Sequence, residues 1–318
     1  MEMKIVNMKT NTNNFYSFQL QDLPDEIILR IFNLLNKKDL SQVAKASKRT
    51  LAIAKDFSLW QRVSFWRKKV TTSFLQEVIN RGCKFLSLHN AELEGSLNFS
   101  NNSELITLDI SDCKANEGVL EELVGSCHSL EKFAMMDLVA GSLMLRNICE
   151  QNGTTLKALN MGQCRGLPLN SINLITNNCI GLTSLNLRNV QISENAVNDL
   201  MELLNPNIVS LSFGFRNLVK DIHVETLLKR CKKIRHLGLK SFSISNLVIT
   251  HIVDHAKETL VSLFLEVRHI YCSKLRDLRR MRKLKSLFCG GLKYNGGRHE
   301  EIQRLHNLLP NVRIRHPN

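Results

Sequence analysis

Few side chains in this sequence are spaced for catalysis. It contains no GxGxxG or GxxxxGK[ST] phosphate loop, no GxSxG nucleophile turn and no HExxH metal pair. "GGLKYNGG", starting at Gly290, has glycines without the lysine–serine pair that grips a phosphate, and it reads as a loop. His89 and His236 belong to segments too far apart to act on one atom. The nine cysteines are scattered, with no CxxC pair, as expected of reduced thiols rather than a disulfide or zinc framework. No catalytic residue, metal or cofactor is expected.

The chemistry on offer is recognition. "KRCKKIR" (229–235) and "KLRDLRRMRKLK" (274–285) gather cations, and guanidinium forks suit phosphate and carboxylate. Residues 216–318 hold 22 Lys+Arg against 8 Asp+Glu, whereas residues 1–215 balance at 21 of each, so the last third carries the whole net charge of +14. Three uses compete: a solvated helical face, a site for an acidic or phosphorylated segment centred on Arg279, Arg280 and Arg282, and nucleic acid. The last is disfavoured, because no base-stacking aromatics are interleaved with the charge. The same runs are similar to nuclear-import signals, so nucleus and cytoplasm are the expected compartments. No apolar run approaches the 18 residues of a membrane span.

These side chains need elements to position them, and a period supplies those elements. "LTSLNLRNVQI" (182–192) has the form LxxLxLxxVxI, and the frame recurs from residue 80 onward. Its second large apolar position falls at Leu86, Leu108, Phe133, Leu159, Leu185, Leu211, Leu237, Leu263 and Leu287, at spacings of 22 to 26 residues. This is a leucine-rich repeat array of about nine units. Each LxL becomes a short strand with alternate side chains inward, and stretches such as "NEGVLEELVGSC" and "ENAVNDLMELL" become helices. One unit cannot bury its own apolar face, whereas a stack can. The expected fold is α/β: a curved solenoid with a parallel concave sheet and helices on the convex side. Its concave residues include Asn160, Asn186, Arg188, Ser212, His236, Lys240 and Phe264, the candidates for substrate binding. Cys127, Cys179 and Cys231 recur every 52 residues, two repeats apart, too distant for a disulfide or a shared zinc.

Ahead of the repeats stands a small all-helical unit. "LPDEIILRIFNLL" (23–35) reads as a three-turn helix with Pro24 in its first position and too many apolar residues for one buried stripe. "DLSQ" outlines a capping box on Asp39, a second helix carries Leu40, Val43, Ala44 and Ala46, and "SLWQRV" closes with Trp60 after a cap at Ser58. The pattern LPxExxxxIFxxLxxxDL…LW resembles the F-box, and an F-box followed by leucine-rich repeats resembles one family of ubiquitin-ligase subunits. "ASKRTL" (46–51) departs from the Cys- and Trp-bearing stretch usual there.

What the resemblance implies is a non-catalytic substrate receptor of a Skp–cullin–F-box ligase in the cell-cycle and proteasomal-degradation setting. Leu23, Pro24, Glu26, Ile27, Ile31, Phe32, Leu35, Leu40, Val43 and Trp60 would meet a Skp-type adaptor. Cullin and a RING subunit would join through that adaptor. The repeats would hold a phosphorylated or acidic protein, with a Cks-type accessory subunit as a further partner. The resemblance also implies a long C-terminal tail returning along the concave face, whereas this sequence stops at Asn318, so the same substrates are not assumed. The competing reading is a repeat scaffold with a vestigial F-box that binds an acidic protein or RNA through its basic third. The expected boundaries are a disordered tail over 1–19, the F-box over 20–66, repeats over 67–300 and a capping segment over 301–318.

Overall fold

The computed structural model describes residues 20–96, 103–116, 118–139, 142–215 and 217–317. The expected tail over 1–19 lies outside them. Three helices open the chain: α1 (Asp25–Asn33), α2 (Lys37–Val43) and α3 (Lys48–Ala54). Pro24 is the cap of α1 rather than its first residue. The cap of α2 is Asn36, not Asp39: its side-chain oxygen accepts from the backbone N–H groups of Lys38 and Asp39 at 3.0 Å each. The second helix stops at Val43, and "ASKRTL" opens a third. Ser47 caps that one, accepting from Thr50 N at 3.1 Å while Thr50 Oγ1 accepts from Ser47 N at 3.0 Å. Asp56, not Ser58, caps the single turn at Phe57–Leu59.

The chain then enters the stack through β1 (Arg62–Ser64), β2 (Lys69–Thr71), α4 (Thr72–Asn80), β3 (Phe85–Ser87), β4 (Glu92–Glu94) and β5 (Thr107–Asp109). Helices and strands alternate from there: α5 (Val119–Gly125), β6 (Lys132–Ala134), α6 (Ser142–Asn152), β7 (Ala158–Asn160), α7 (Ser171–Asn178) and β8 (Ser184–Arg188). The last third continues with α8 (Glu194–Leu203), β9 (Ser210–Gly214), α9 (Asp221–Arg230), β10 (His236–Ser241), α10 (Leu247–Ala256) and β11 (Ser262–Val267). A 3-10 stretch (Cys272–Arg280), β12 (Ser286–Gly290), α11 (Arg298–Leu308) and β13 (Arg313–Arg315) complete it.

All but β2 and β4 join one parallel sheet of 11 strands. The nine apolar positions read from the repeat pair directly with one another, from Leu86↔Leu108 to Leu263↔Leu287. Two further rungs extend the column: Val63↔Leu86 at one end and Leu287↔Ile314 at the other. The opening unit is therefore not all-helical, since it ends in the first strand of the solenoid, and the segment over 301–318 supplies the eleventh.

After β1, β3, β5, β6, β7, β8 and β12 the turn uses a left-handed residue four places beyond the central one of the strand. Arg67, Asn90, Asp112, Asp137, Gln163, Asn189 and Gly291 all hold positive φ, between 53° and 70°. Asn, Asp and Gly adopt this region readily. The carboxylate of Asp109 and the amides of Asn160 and Asn186 each accept a backbone N–H two residues on, at 3.0, 3.3 and 3.1 Å, which pulls the chain into the turn. Between repeats, buried Asn152 accepts from Leu130 N at 2.9 Å and donates to Cys127 O at 2.8 Å. All nine cysteines are free thiols and buried.

Candidate functional site

Three surfaces of this molecule offer contacts. The first is the opening helix. Ile28 and Phe32 are each 1% exposed and sit in the chain's own core, while Ile27, Ile31 and Leu34 are 37%, 36% and 85% exposed. The helix thus buries an i, i+4 pair in this chain and presents a second apolar row outward. Its base is braced by Arg49, whose Nε donates to Asp25 Oδ1 at 2.8 Å and whose Nη2 donates to Leu23 O at 2.5 Å. Trp60 Nε1 donates to Ala54 O at 2.7 Å, and the ring packs edge-on against Phe74 of α4 at 6.4 Å, with Arg81 over its face at 4.4 Å. Lys37 donates to Leu59 O beside the same ring. Burial holds its ammonium below the usual lysine range.

This geometry divides the expected adaptor residues. Pro24, Glu26, Ile27 and Ile31 are exposed, and Leu23, Leu35 and Val43 are half-buried against the core. Phe32, Leu40 and Trp60 are at most 1% exposed. They pack in this chain's own core and shape the face from behind, at odds with the expectation that they meet the adaptor directly. Leu34, absent from that set, is the most protruding of the apolar row.

The second surface is the concave sheet over β8–β12, where strands lengthen to five or six residues. Asn160, Asn186, Ser212, Gly238, Phe264 and Phe288 form one cross-strand row, and Arg188, Gly214, Lys240, Glu266 and Gly290 form the next. His236 lies in a third row, at the opposite strand ends, beside Ser210 and Ser262. Asn186 Nδ2 donates to Asn160 Oδ1 at 2.8 Å. The Arg188 guanidinium reaches across two rungs to lie 4.1 Å over Phe264 and 3.6 Å from Glu266, which also pairs with Lys240 at 2.8 Å. Gly214 leaves the room: a Cβ there would come within 2.6 Å of Lys240 Cβ. Phe264 and Phe288 stack with parallel planes at 4.2 Å. Beyond the strand ends, a cavity of about 820 Å³ is lined by residues including Ile192, Phe215, Leu218, Lys240 and Phe242. Loop residues form most of its wall, which is why the strand period does not reveal it.

The third surface is the basic one, and it faces the other way. Arg279 and Arg280 end the 3-10 stretch on the helical side, and Arg282 follows two residues on. Arg280 pairs with Asp254 at 3.9 Å and Arg282 with Glu258 at 3.4 Å, both on or just after α10. The structure therefore places these three arginines, expected as candidates for an acidic or phosphorylated segment, apart from the concave row. Strand alternation marks a face within a repeat and says nothing of a cation run in the connection.

Among models of known families, residues 73–317 match the one described as SKP2 LRR domain, and residues 20–66 match the one described as F-box-like. Among solved structures, internalin C2 of Listeria monocytogenes str. 4b F2365 aligns at 16% identity and a TM-score of 0.43, over 67% of this chain and 81% of that one.

Proposed function

From the premise that this chain belongs to the F-box/leucine-rich-repeat family, with repeats of the SKP2 kind, we propose that it is the substrate-recognition subunit of a Skp–cullin–F-box ubiquitin ligase. It contributes binding, not chemistry. The observation that carries this is the row Ile27, Ile31 and Leu34, exposed on a helix whose opposite side is locked into the core. Adaptor helices would cover that row, with Pro24, Glu26 and half-buried Leu23, Leu35 and Val43 around it. Cullin and the RING subunit follow through the adaptor. Relatives in this family include the S-phase kinase-associated F-box protein, and the chain resembles it without being assigned its substrates.

The substrate would be a protein segment laid over β8–β12, against the Phe264–Phe288 stack and the Arg188–Glu266–Lys240 cluster. Two cations and one carboxylate leave a single positive charge there, which favours an acidic or phosphorylated segment. Substrate degradation, a Cks-type accessory subunit and residence in nucleus and cytoplasm belong to the same proposal. The reading as an acidic-protein or RNA scaffold is weaker, because Arg280 and Arg282 are already paired to acids of α10 and its end.

The test is co-purification with a Skp-type adaptor. Wild type should form a complex. Ile27→Ala/Ile31→Ala/Leu34→Ala should lose it with an unchanged unfolding midpoint, at about 2 kcal/mol of binding per central anchor. Phe32→Ala should instead lower stability, by about 3 to 5 kcal/mol. A wild-type chain that captures no adaptor would remove the ligase reading.

A further inference from the structure

The helical side carries a cluster that adaptor and substrate binding leave unused. His251 and His255 stand one turn apart on α10, so their rings lie on one helix face. Glu225 reaches toward them from α9, the adjacent helix. Its Oε1 lies 3.8 Å from His251 Nδ1 and 4.0 Å from His255 Nε2, and one ligand atom of each residue falls within 4.8 Å of the others. At these lengths neither contact is a hydrogen bond. The three side chains are only 13% (His251), 23% (His255) and 21% (Glu225) exposed, so they meet in a recess between the helices.

We propose that Glu225, His251 and His255 bind a borderline divalent cation of the zinc class, clamping α9 to α10. Two imidazoles and a carboxylate are a donor set that zinc accepts, with a fourth position left for water. Ligand atoms on a tetrahedral zinc lie about 3.3 Å apart, given bonds of about 2.0 to 2.1 Å. Closing from the present separations takes shifts of about an ångström, within reach of small side-chain rotations. Magnesium and calcium, which prefer all-oxygen sets, do not fit this one. A cation already sits there: Lys229 Nζ is 2.7 Å from Glu225 Oε1. The Lys229 side chain is 56% exposed, and its flexible stem can swing the ammonium into solvent when a metal takes its place. The clamp would join the two repeats whose strands, β9 and β10, carry Gly214 and Lys240 on the wall of the large cavity. The site does not depend on the ligase reading.

The experiment uses the full chain, stripped with a chelator and dialysed, and titrated with Zn2+ by calorimetry and by thermal unfolding. One equivalent should bind and raise the unfolding temperature. Co2+ should give visible d–d absorption without thiolate charge-transfer bands, because the cysteines are buried elsewhere. His251→Ala/His255→Ala should lose about tenfold or more in affinity. Glu225→Gln, close to isosteric and therefore a control on folding, should weaken binding too. Lys229→Met should tighten it by removing the competing ammonium. No saturable zinc binding to wild type, or binding equal in wild type and the histidine double variant, overturns the site.

Discussion

Single residues decide how each turn closes. Gly291 holds a φ of 70°, and a Cβ there would come within 2.0 Å of the Val267 carbonyl oxygen. Gly291→Ala should cost about 2 kcal/mol or more, from left-handed strain and a backbone clash together. Gln163 occupies the equivalent place at φ 65° with an exposed side chain. Gln163→Gly should be neutral to stabilising by up to about 1 kcal/mol. Urea midpoints decide both, and a loss at Gln163 as large as at Gly291 would sink this account of the turn. The thiols make a second prediction. Burial raises Cys83, Cys164, Cys231 and Cys272 to about 11, and Cys113 and Cys289 to about 12, against an ordinary 9.0. Above pH 9 the unfolded chain releases these protons first, so stability is full below pH 9 and falls as pH rises toward 11 or 12. Lys37, held low by burial, and Cys179, held low by its hydrogen bond with Cys149, oppose this. Urea midpoints from pH 7 to pH 10.5 should be level at first and then decline; a rise above pH 9 would contradict the sign.

At the scale of elements, the struts between repeats matter as much as the leucines. Asn152 is 0% exposed and satisfies one N–H and one carbonyl of the preceding repeat. Asn152→Ala strands both groups in the core and should cost about 2 to 4 kcal/mol. A thermal melt unchanged from wild type would mean that water reaches them. The central strands were legible because LxxLxL imposes period two at a fixed spacing, and each of those positions lies in one buried column. The end strands were not. "RVS" and "RIR" are three residues each and lack the flanking leucines, so only pairing with an existing edge makes them strands. Helix caps misled for a different reason. Asn36 and Asp39 are both good caps, and which serves depends on where the preceding turn ends. The opening helix was half legible: its excess of apolar residues is plain in the sequence. Which of Ile31 and Phe32 faces inward depends on where Trp60, Ile53 and Leu40 pack, and spacing alone carries none of that.

Taken whole, the molecule is a one-dimensional stack, in which each rung leans on its neighbours alone. The central rungs, with long strands and two neighbours, should exchange amide hydrogens slowest, and β13 should exchange fastest. Removing residues 309–318 would bare the β12 edge and should lower the unfolding temperature and promote association through that edge. Equal protection on all 11 strands, measured by hydrogen exchange, would show a single cooperative block instead.

The strand β1 belongs at once to the F-box unit and to the sheet, so the opening helices join the repeats through backbone pairing rather than through a free linker. Eleven strands at about 4.8 Å span an arc of roughly 50 Å. Such a body, on the ligase reading, would be a cantilever fixed at the adaptor end, and a load gripped near β11 and β12 would hang at a set height and angle. On the ligase reading, the arm works as a ruler: it would choose among a substrate's lysines by their distance from the grip, whatever the strength of the grip itself.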